Sequence, residues 1–275
     1  MPELPEVETV RNTLKTLIVG KEIRDIDVYY EKMIRNREVD EFKKALIGKK
    51  IIDIDRYGKY LIFNFEGTAL ISHLRMEGKY FFKDLDEKKE KHEHVIFYFT
   101  DGKTLRYNDT RKFGTMDLYD INDVYDKSPV SKIGYEPFEK EMTGKYLMDK
   151  LSKKSIAIKS ALLDQTIIAG LGNIYVDEVL FLSKIHPTLK ANSLELADYK
   201  RLVKNSVKVL NKAVKLGGST IRSYTSSLGV TGRFQNELFV HTKQGDSCLV
   251  CNTEILKTKV NGRGTYYCPS CQKEL

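Results

Sequence analysis

Four cysteines close this 275-residue chain in the pattern Cys248-x2-Cys251-x16-Cys268-x2-Cys271, and no other cysteine precedes them. Each C-x-x-C can turn two thiolates onto one point, and two such turns complete a tetrahedron for Zn²⁺. Disulfides would be spread over a secreted scaffold, whereas paired cysteines clustered in one segment read as metal ligands. One structural Zn²⁺ is therefore expected, held by Cys248, Cys251, Cys268 and Cys271. Between the pairs, Asn261-Gly262 signals a tight turn that puts Arg263 at a hairpin tip. A guanidinium there can meet a phosphate, and equally can sit in solvent.

The charge balance is 46 basic against 38 acidic residues, a net +8 with a pI near 9.0. That excess favours a polyanionic partner, although a solvated surface of the same charge is common. The length suffices for two domains with cores of their own. No apolar run reaches the length of a membrane span, and the acidic start lacks a signal core. The expectations are a cytoplasmic protein, no membrane association and no obligate protein partner.

Along the chain the pattern changes twice. Residues 5–18 read as a helix, with Val7, Val10, Leu14, Leu17 and Ile18 on one stripe and Gly20 behind it. From 21 to 121 the pattern predicts six to eight short strands, with Asp101-Gly102 marking a hairpin, and so an antiparallel sandwich. Residues 128–138 lack periodicity and contain Gly and Pro, which suits a linker. Helices are predicted over Gly144–Leu151, Ile156–Leu163, Ile174–Ser183 and Leu194–Leu216, the third capped by Asn173. A Ser/Thr/Gly-rich segment at 219–233 reads as a loop, and 238–275 as short strands around the cysteines. The predicted division is 1–130, 131–233 and 234–275.

The head of the chain carries the most unusual chemistry, Met1-Pro2-Glu3-Leu4-Pro5-Glu6. Trimming of an initiator Met before a small residue can make Pro2 the terminus. Its secondary amine, with an ordinary α-amino pKa near 8, is partly neutral at physiological pH and can form an iminium with a sugar carbon. Glu3 stands within reach to move protons. The same residues also suit an ordinary helix start, with Pro and carboxylates in the first turn.

Other candidates are weaker one by one. Lys59 follows Gly58 at a strand turn. His73-Leu74-Arg75-Met76-Glu77-Gly78 and Asp109-Thr110-Arg111-Lys112-Phe113-Gly114 each place cations and an apolar wedge beside a Gly turn. Met or Phe can enter a base stack and Arg can fill the space left by an extruded base, yet Met76 and Phe113 also suit a core. Gly170-Leu171-Gly172-Asn173 joins two helices and could aim free helix N–H groups at a phosphate.

Taken together and in order, these motifs resemble the formamidopyrimidine-DNA glycosylase family of bacterial base-excision repair. The likeness rests on P-E-L-P-E-V-E at the head, Y-G-K-Y at 57–60, H-L-R-M-E-G-K at 73–79, D-T-R-K-F-G at 109–114, G-L-G-N-I-Y at 170–175 and the four-cysteine ribbon. Leu4 is closer to this family than to the related endonuclease VIII group, where Gly is usual. The resemblance implies an α+β multidomain fold: an N-terminal antiparallel β-sandwich with an N-terminal helix, then a helix-two-turn-helix domain and a C-terminal β-hairpin zinc finger, with DNA between. It implies that Pro2 attacks C1′ of a flipped oxidised purine nucleotide and that Glu3 handles the protons. Lys59 and Arg263 match residues of proton transfer and phosphate binding during strand cleavage by β,δ-elimination. Met76, Arg111 and Phe113 match the triad that fills the gap left by the base. His73 and Asn173 match backbone-phosphate contacts, and His92 and Lys154 further DNA contacts. The 219–233 segment matches the loop that closes over the extruded base. Lys112 departs from the pattern, standing where a second Arg is frequent.

The expected function is a bifunctional DNA glycosylase and abasic-site lyase acting as a monomer on damaged double-stranded DNA, with 8-oxoguanine and formamidopyrimidines as lesions. Oxidised pyrimidines as substrates and a non-enzymatic damage-binding role are the alternatives, and the presence of both Pro2 and Glu3 argues against the latter.

Overall fold

The computed structural model describes residues 1–219 and 232–273. The loop expected over 219–233 therefore lies almost wholly outside the described residues. The chain forms two compact units, Met1–Lys132 with Gly217–Gly232, and Ile133–Leu216 with Arg233–Leu275.

The first unit begins with helix α1, Leu4–Ile18. Val7, Val10, Leu14 and Ile18 recur every three or four residues and are fully buried, so one stripe faces the core. Two four-stranded antiparallel sheets follow. One has the order β1-β6-β7-β5, built from Ile23–Val28, Glu93–Phe99, Lys103–Asn108 and Lys79–Asp84. The other has the order β2-β3-β4-β8, built from Asp53–Tyr57, Tyr60–Phe65, Thr68–His73 and Thr115–Asp120. Asp101-Gly102 does turn β6 into β7.

Alternation decides what each strand buries. Leu61, Phe63 and Phe65 of β3 enter the main core with Phe97, Phe99 and Leu105 of the opposite sheet and the stripe of α1. Ile62 points the other way and packs with Ala69, Ile71, Val124 and Val130. The second sheet is thus covered on both faces, which explains why β3 and β4 are nearly continuous in apolar residues.

The strand-only expectation for 21–121 needs one correction. Val39–Leu46 is a helix, α2, that buries Phe42 and Leu46. Its Val39, Phe42 and Leu46 have helical spacing, but eight residues between strands are too few to stand out. A short helix α3, Val124–Lys127, follows the last strand.

The second unit contains α4 Gly144–Leu151, α5 Ile158–Leu162, α6 Asn173–Ser183, α7 Leu196–Lys215 and the hairpin β9–β10, Leu256–Val260 and Arg263–Tyr267. Two helix starts differ from expectation. Helix α7 begins at Leu196 rather than Leu194, behind a reciprocal cap in which Glu195 and Asp198 each accept the other's backbone N–H. Asn173 is not the cap of α6; Gly172 holds that position and Asn173 is the first helical residue. Among the described residues, no helix is long and apolar enough to cross a membrane.

Helix α6 is buried on nearly every side, so its two acids must find partners inside. Asp177 Oδ1 lies 2.7 Å from Lys159 Nζ, with both side chains fully buried. Its Oδ2 meets His241 Nδ1 at 2.8 Å. Glu178 accepts the backbone N–H groups of Phe239, Val240 and His241 at 2.8–3.0 Å. These contacts tie α5 and the chain entering the ribbon to one helix. Removing one member of a buried pair strands the other charge. Asp177→Asn is expected to lower unfolding free energy by about 3–5 kcal/mol, far more than Asp149→Asn at an exposed site, as read by urea denaturation.

Candidate functional site

Pro2 is buried behind a half-exposed Met1, and Glu3 is only 2% exposed. Glu3 is the N-cap of α1. Its carboxylate accepts the backbone N–H of Glu6, and Glu6 Oε2 accepts the backbone N–H of Glu3 at 2.8 Å. This reciprocal cap satisfies the open N–H groups of the helix and fixes the Glu3 carboxylate at the head of the chain. Glu6 has a second duty: its Oε1 accepts the N–H of Ser219 at 2.7 Å. Gly218, at φ +78°, lets that carboxylate in, since a Cβ there would stand 2.6 Å from Oε1. Glu6 thus joins the proposed catalytic terminus to the residue at the start of the 220–231 segment. Sequence reading passed over it, although Glu three residues after Glu is the mark of such a cap.

Lys59 occupies a two-residue turn between β2 and β3, with Gly58 first at φ +57° and Tyr57 paired to Tyr60. At 5% exposure it is not a plain surface charge. Its turn is braced from α1. Arg56 donates from Nε to Glu8 Oε2 at 2.8 Å and from Nη1 to the Gly58 carbonyl at 3.1 Å. Burial pushes the Glu8 carboxyl up, but hydrogen bonds from Arg11 and Arg56 outweigh it and hold the group below the usual range. Strand pairing sets Tyr60 opposite His73, whose ring meets the Tyr60 ring edge-on at 4.6 Å. His73 Nδ1 accepts the Arg75 N–H at 2.9 Å, which leaves the proton on Nε2. Burial, then Arg75, Lys59 and Arg35, pushes its pKa down to about 3. The ring is neutral at pH 7 and offers one N–H donor.

The two wedge candidates lie on loops of the same unit. Met76 is half-buried and follows Arg75, which sits in the left-handed region at φ +54°. Phe113 is 52% exposed, which removes it from the core, and the Arg111 guanidinium lies 4.8 Å above its ring. Asp109, fully buried beneath them, accepts the backbone N–H groups of Arg111, Phe113 and Gly114 at 2.8–2.9 Å. This carboxylate shapes the loop, while Arg111, Lys112 and Phe113 face outward. His92 is held against the same loop, for its carbonyl accepts the Asp109 N–H at 3.0 Å.

In the second unit, Asn261 and Gly262 both have positive φ, +47° and +76°, and form the tip between β9 and β10. Arg263 is exposed beside it. The next carbonyl, Gly264 O, accepts from Asn173 Nδ2 and from Lys159 Nζ, both at 3.0 Å. Arg263 and Asn173 are therefore brought together, and the buried Lys159 explains how the tip is held. Lys154 is partly exposed and lies 3.8 Å from Asp164.

The four cysteine Sγ atoms lie within 4.8 Å of one another. Three pairs are 3.4, 3.5 and 4.0 Å apart. Tetrahedral Zn²⁺ with bonds of about 2.3 Å requires sulfurs about 3.8 Å apart, so the donor set fits one ion. The ion would be structural, since four protein ligands leave no open position. Cys248 and Cys268 pack with Phe181, Val240 and Ile255, which roots the ribbon in the unit.

The chain thus combines a β-sandwich headed by a helix, a helical domain with a glycine turn before α6, and a four-cysteine hairpin whose donors fit one Zn²⁺. Family models agree along the chain: the formamidopyrimidine-DNA glycosylase N-terminal domain matches residues 1–116, its H2TH domain residues 133–225, and the zinc finger found in FPG and IleRS residues 245–273. A formamidopyrimidine-DNA glycosylase of Bacillus cereus is 49% identical over the full length of both chains. That of Halalkalibacterium halodurans is 50% identical over 99% of this chain and all of its own. Among solved structures, a mutant Lactococcus lactis FPG bound to a Fapy-dG containing DNA superposes with a TM-score of 0.94 at 48% identity, over 99% of this chain and all of that one. The Lactococcus lactis enzyme with an abasic-site DNA gives 0.93, with the same identity and coverage. The chain belongs to the formamidopyrimidine-DNA glycosylase family.

The depressed pKa of His73 has a consequence for stability. Unfolded, the ring titrates near 6.5; folded, near 3. Between these values the unfolded chain binds the extra proton, so this residue makes stability rise with pH across that window and fall on acidification. His73→Gln is expected to flatten the pH dependence of unfolding free energy between about 4 and 6.5 relative to the parent, as measured by denaturant titration at each pH.

Proposed function

We propose that this protein excises oxidised purines from double-stranded DNA and then cleaves the strand as an abasic-site lyase. Family membership supports glycosylase action on damaged DNA; the finer chemistry is read from the residues. After loss of Met1, the Pro2 nitrogen attacks C1′ of the extruded nucleotide, the C1′–base bond breaks and the base departs with the amine's proton; the C1′–O4′ bond then opens as O4′ takes a proton from Glu3, and an iminium remains. Glu3 moves the protons. Lys59 and Arg263 serve phosphate binding and the β,δ-elimination steps. Met76, Arg111 and Phe113 take the space vacated by the base. The neutral His73, with Asn173, His92 and Lys154, contacts the DNA backbone. Lys, Arg and backbone N–H contacts of this kind bind without reading sequence, which suits a lesion that can arise anywhere.

The observation that carries this reading is the reciprocal cap at α1. An ordinary helix start would leave its acids in solvent. Here Glu3 is buried, fixed by a backbone N–H and adjacent to the residue whose amine is the nucleophile. A carboxylate so placed can work on the same substrate atom cluster as that amine.

Borohydride trapping on an 8-oxoguanine duplex tests it. The processed protein is expected to cross-link through Pro2, and Pro2→Gly to weaken trapping by up to about a hundredfold, because a looser amine loses its aim. Glu3→Gln keeps an acceptor for the Glu6 N–H, so the fold should persist while base excision falls by about 10²–10⁴-fold. A cross-link mapping to Lys59, or full activity with Met1 still attached, would contradict the assignment.

A further inference from the structure

Gly78 and Gly114 close the two loops that carry Met76 and Phe113. Neither has a positive φ, so backbone conformation does not demand glycine at either place. Space does. A Cβ on Gly78 would stand 2.1 Å from the Tyr107 hydroxyl oxygen, and one on Gly114 would stand 1.7 Å from the same atom. Both loops are therefore seated on a single phenol. Tyr107 is fully buried on β7, and its ring packs edge-on against Tyr80 at 5.0 Å. Through that contact the seat is rooted in the core between the sheets. The backbone around each glycine is fixed by its own hydrogen bonds: Gly78 N–H donates to the Leu74 carbonyl at 2.9 Å, and Gly114 N–H to Asp109 at 2.8 Å. A loop closed by such a bond and pressed on a rigid ring has little freedom to move alone.

We propose that Tyr107 is a positioning residue that locks the Met76 loop and the Arg111–Phe113 loop into one rigid wedge, so that the two enter or leave the base stack together. This rests on the gap-filling role given above to Met76, Arg111 and Phe113. Two separately mobile loops could fill the gap in succession. Loops sharing one seat fill it in a single step, and a displacement of either is passed to the other through the phenol.

The test uses the full-length protein and a duplex containing a tetrahydrofuran abasic analogue opposite 2-aminopurine. Affinity and 2-aminopurine fluorescence report the filling of the gap. Met76→Ala, Phe113→Ala and the double variant are compared in three backgrounds: Tyr107, Tyr107→Phe, which removes only the shared oxygen, and Tyr107→Leu, which also removes the ring. Phe keeps the core filled should the Leu variant fail to fold. In the Tyr107 background the two losses should be non-additive by about tenfold, as expected for residues that act as a unit. That non-additivity should shrink with Phe and vanish with Leu. Additive losses in the Tyr107 background, or non-additivity that survives both replacements, would overturn the shared seat and leave the gap-filling role standing. Single variants that alter neither signal would overturn the gap-filling role and the seat with it.

Discussion

Buried carboxylates that accept backbone N–H groups hold this molecule's functional loops in shape. Glu6 gathers the N–H groups of Glu3 and Ser219. Asp109 gathers those of Arg111, Phe113 and Gly114. Glu178 gathers three from the strand of chain that leads into the ribbon. A carboxylate out of water is costly unless its lone pairs are filled, and amide hydrogens from a tight turn fill several at once. The same bonds take up polar backbone groups that an irregular loop would otherwise bury unpaired.

This arrangement answers a problem set by the partner. A protein that grips a polyanion must present cations on loops, and loops without a core of their own drift. Placing the anion beneath and the cations above fixes the loop without neutralising its outer face. The 109–114 loop shows this most clearly: Asp109 is fully buried, while Arg111 and Lys112 are exposed. In the second unit the rule is inverted. There a buried cation, Lys159, holds the Gly264 carbonyl beside the exposed Arg263, and Asp177 balances its charge.

Much of this was legible before any coordinates. The helical stripe of α1, the Asp101-Gly102 hairpin, the extent of α4 and the four-cysteine cluster all follow from local periodicity and turn chemistry, which act over a few residues. The helix α2 escaped because its signal is eight residues long. The starts of α6 and α7 differ from the sequence reading because Asn173 turns its side chain to a carbonyl 91 residues away, and because Glu195 with Asp198 forms the cap of α7. Lys59 and His73 stand out in motifs, yet nothing in the sequence shows that the first is buried and that the second is kept neutral by burial and, after it, by the cations around it.

The sequence by itself determined most of the elements and the four-cysteine metal set, since each depends on residue type and short spacing. Tertiary structure alone decided which of those groups share a partner. That Glu6 spans from Glu3 to Ser219, that Lys159 and Asn173 meet on one carbonyl, and that two distant glycines rest on one tyrosine are all facts of long-range packing. Contacts between residues far apart in the chain leave no periodic trace, because they are selected by the space that folding encloses rather than by their neighbours in sequence.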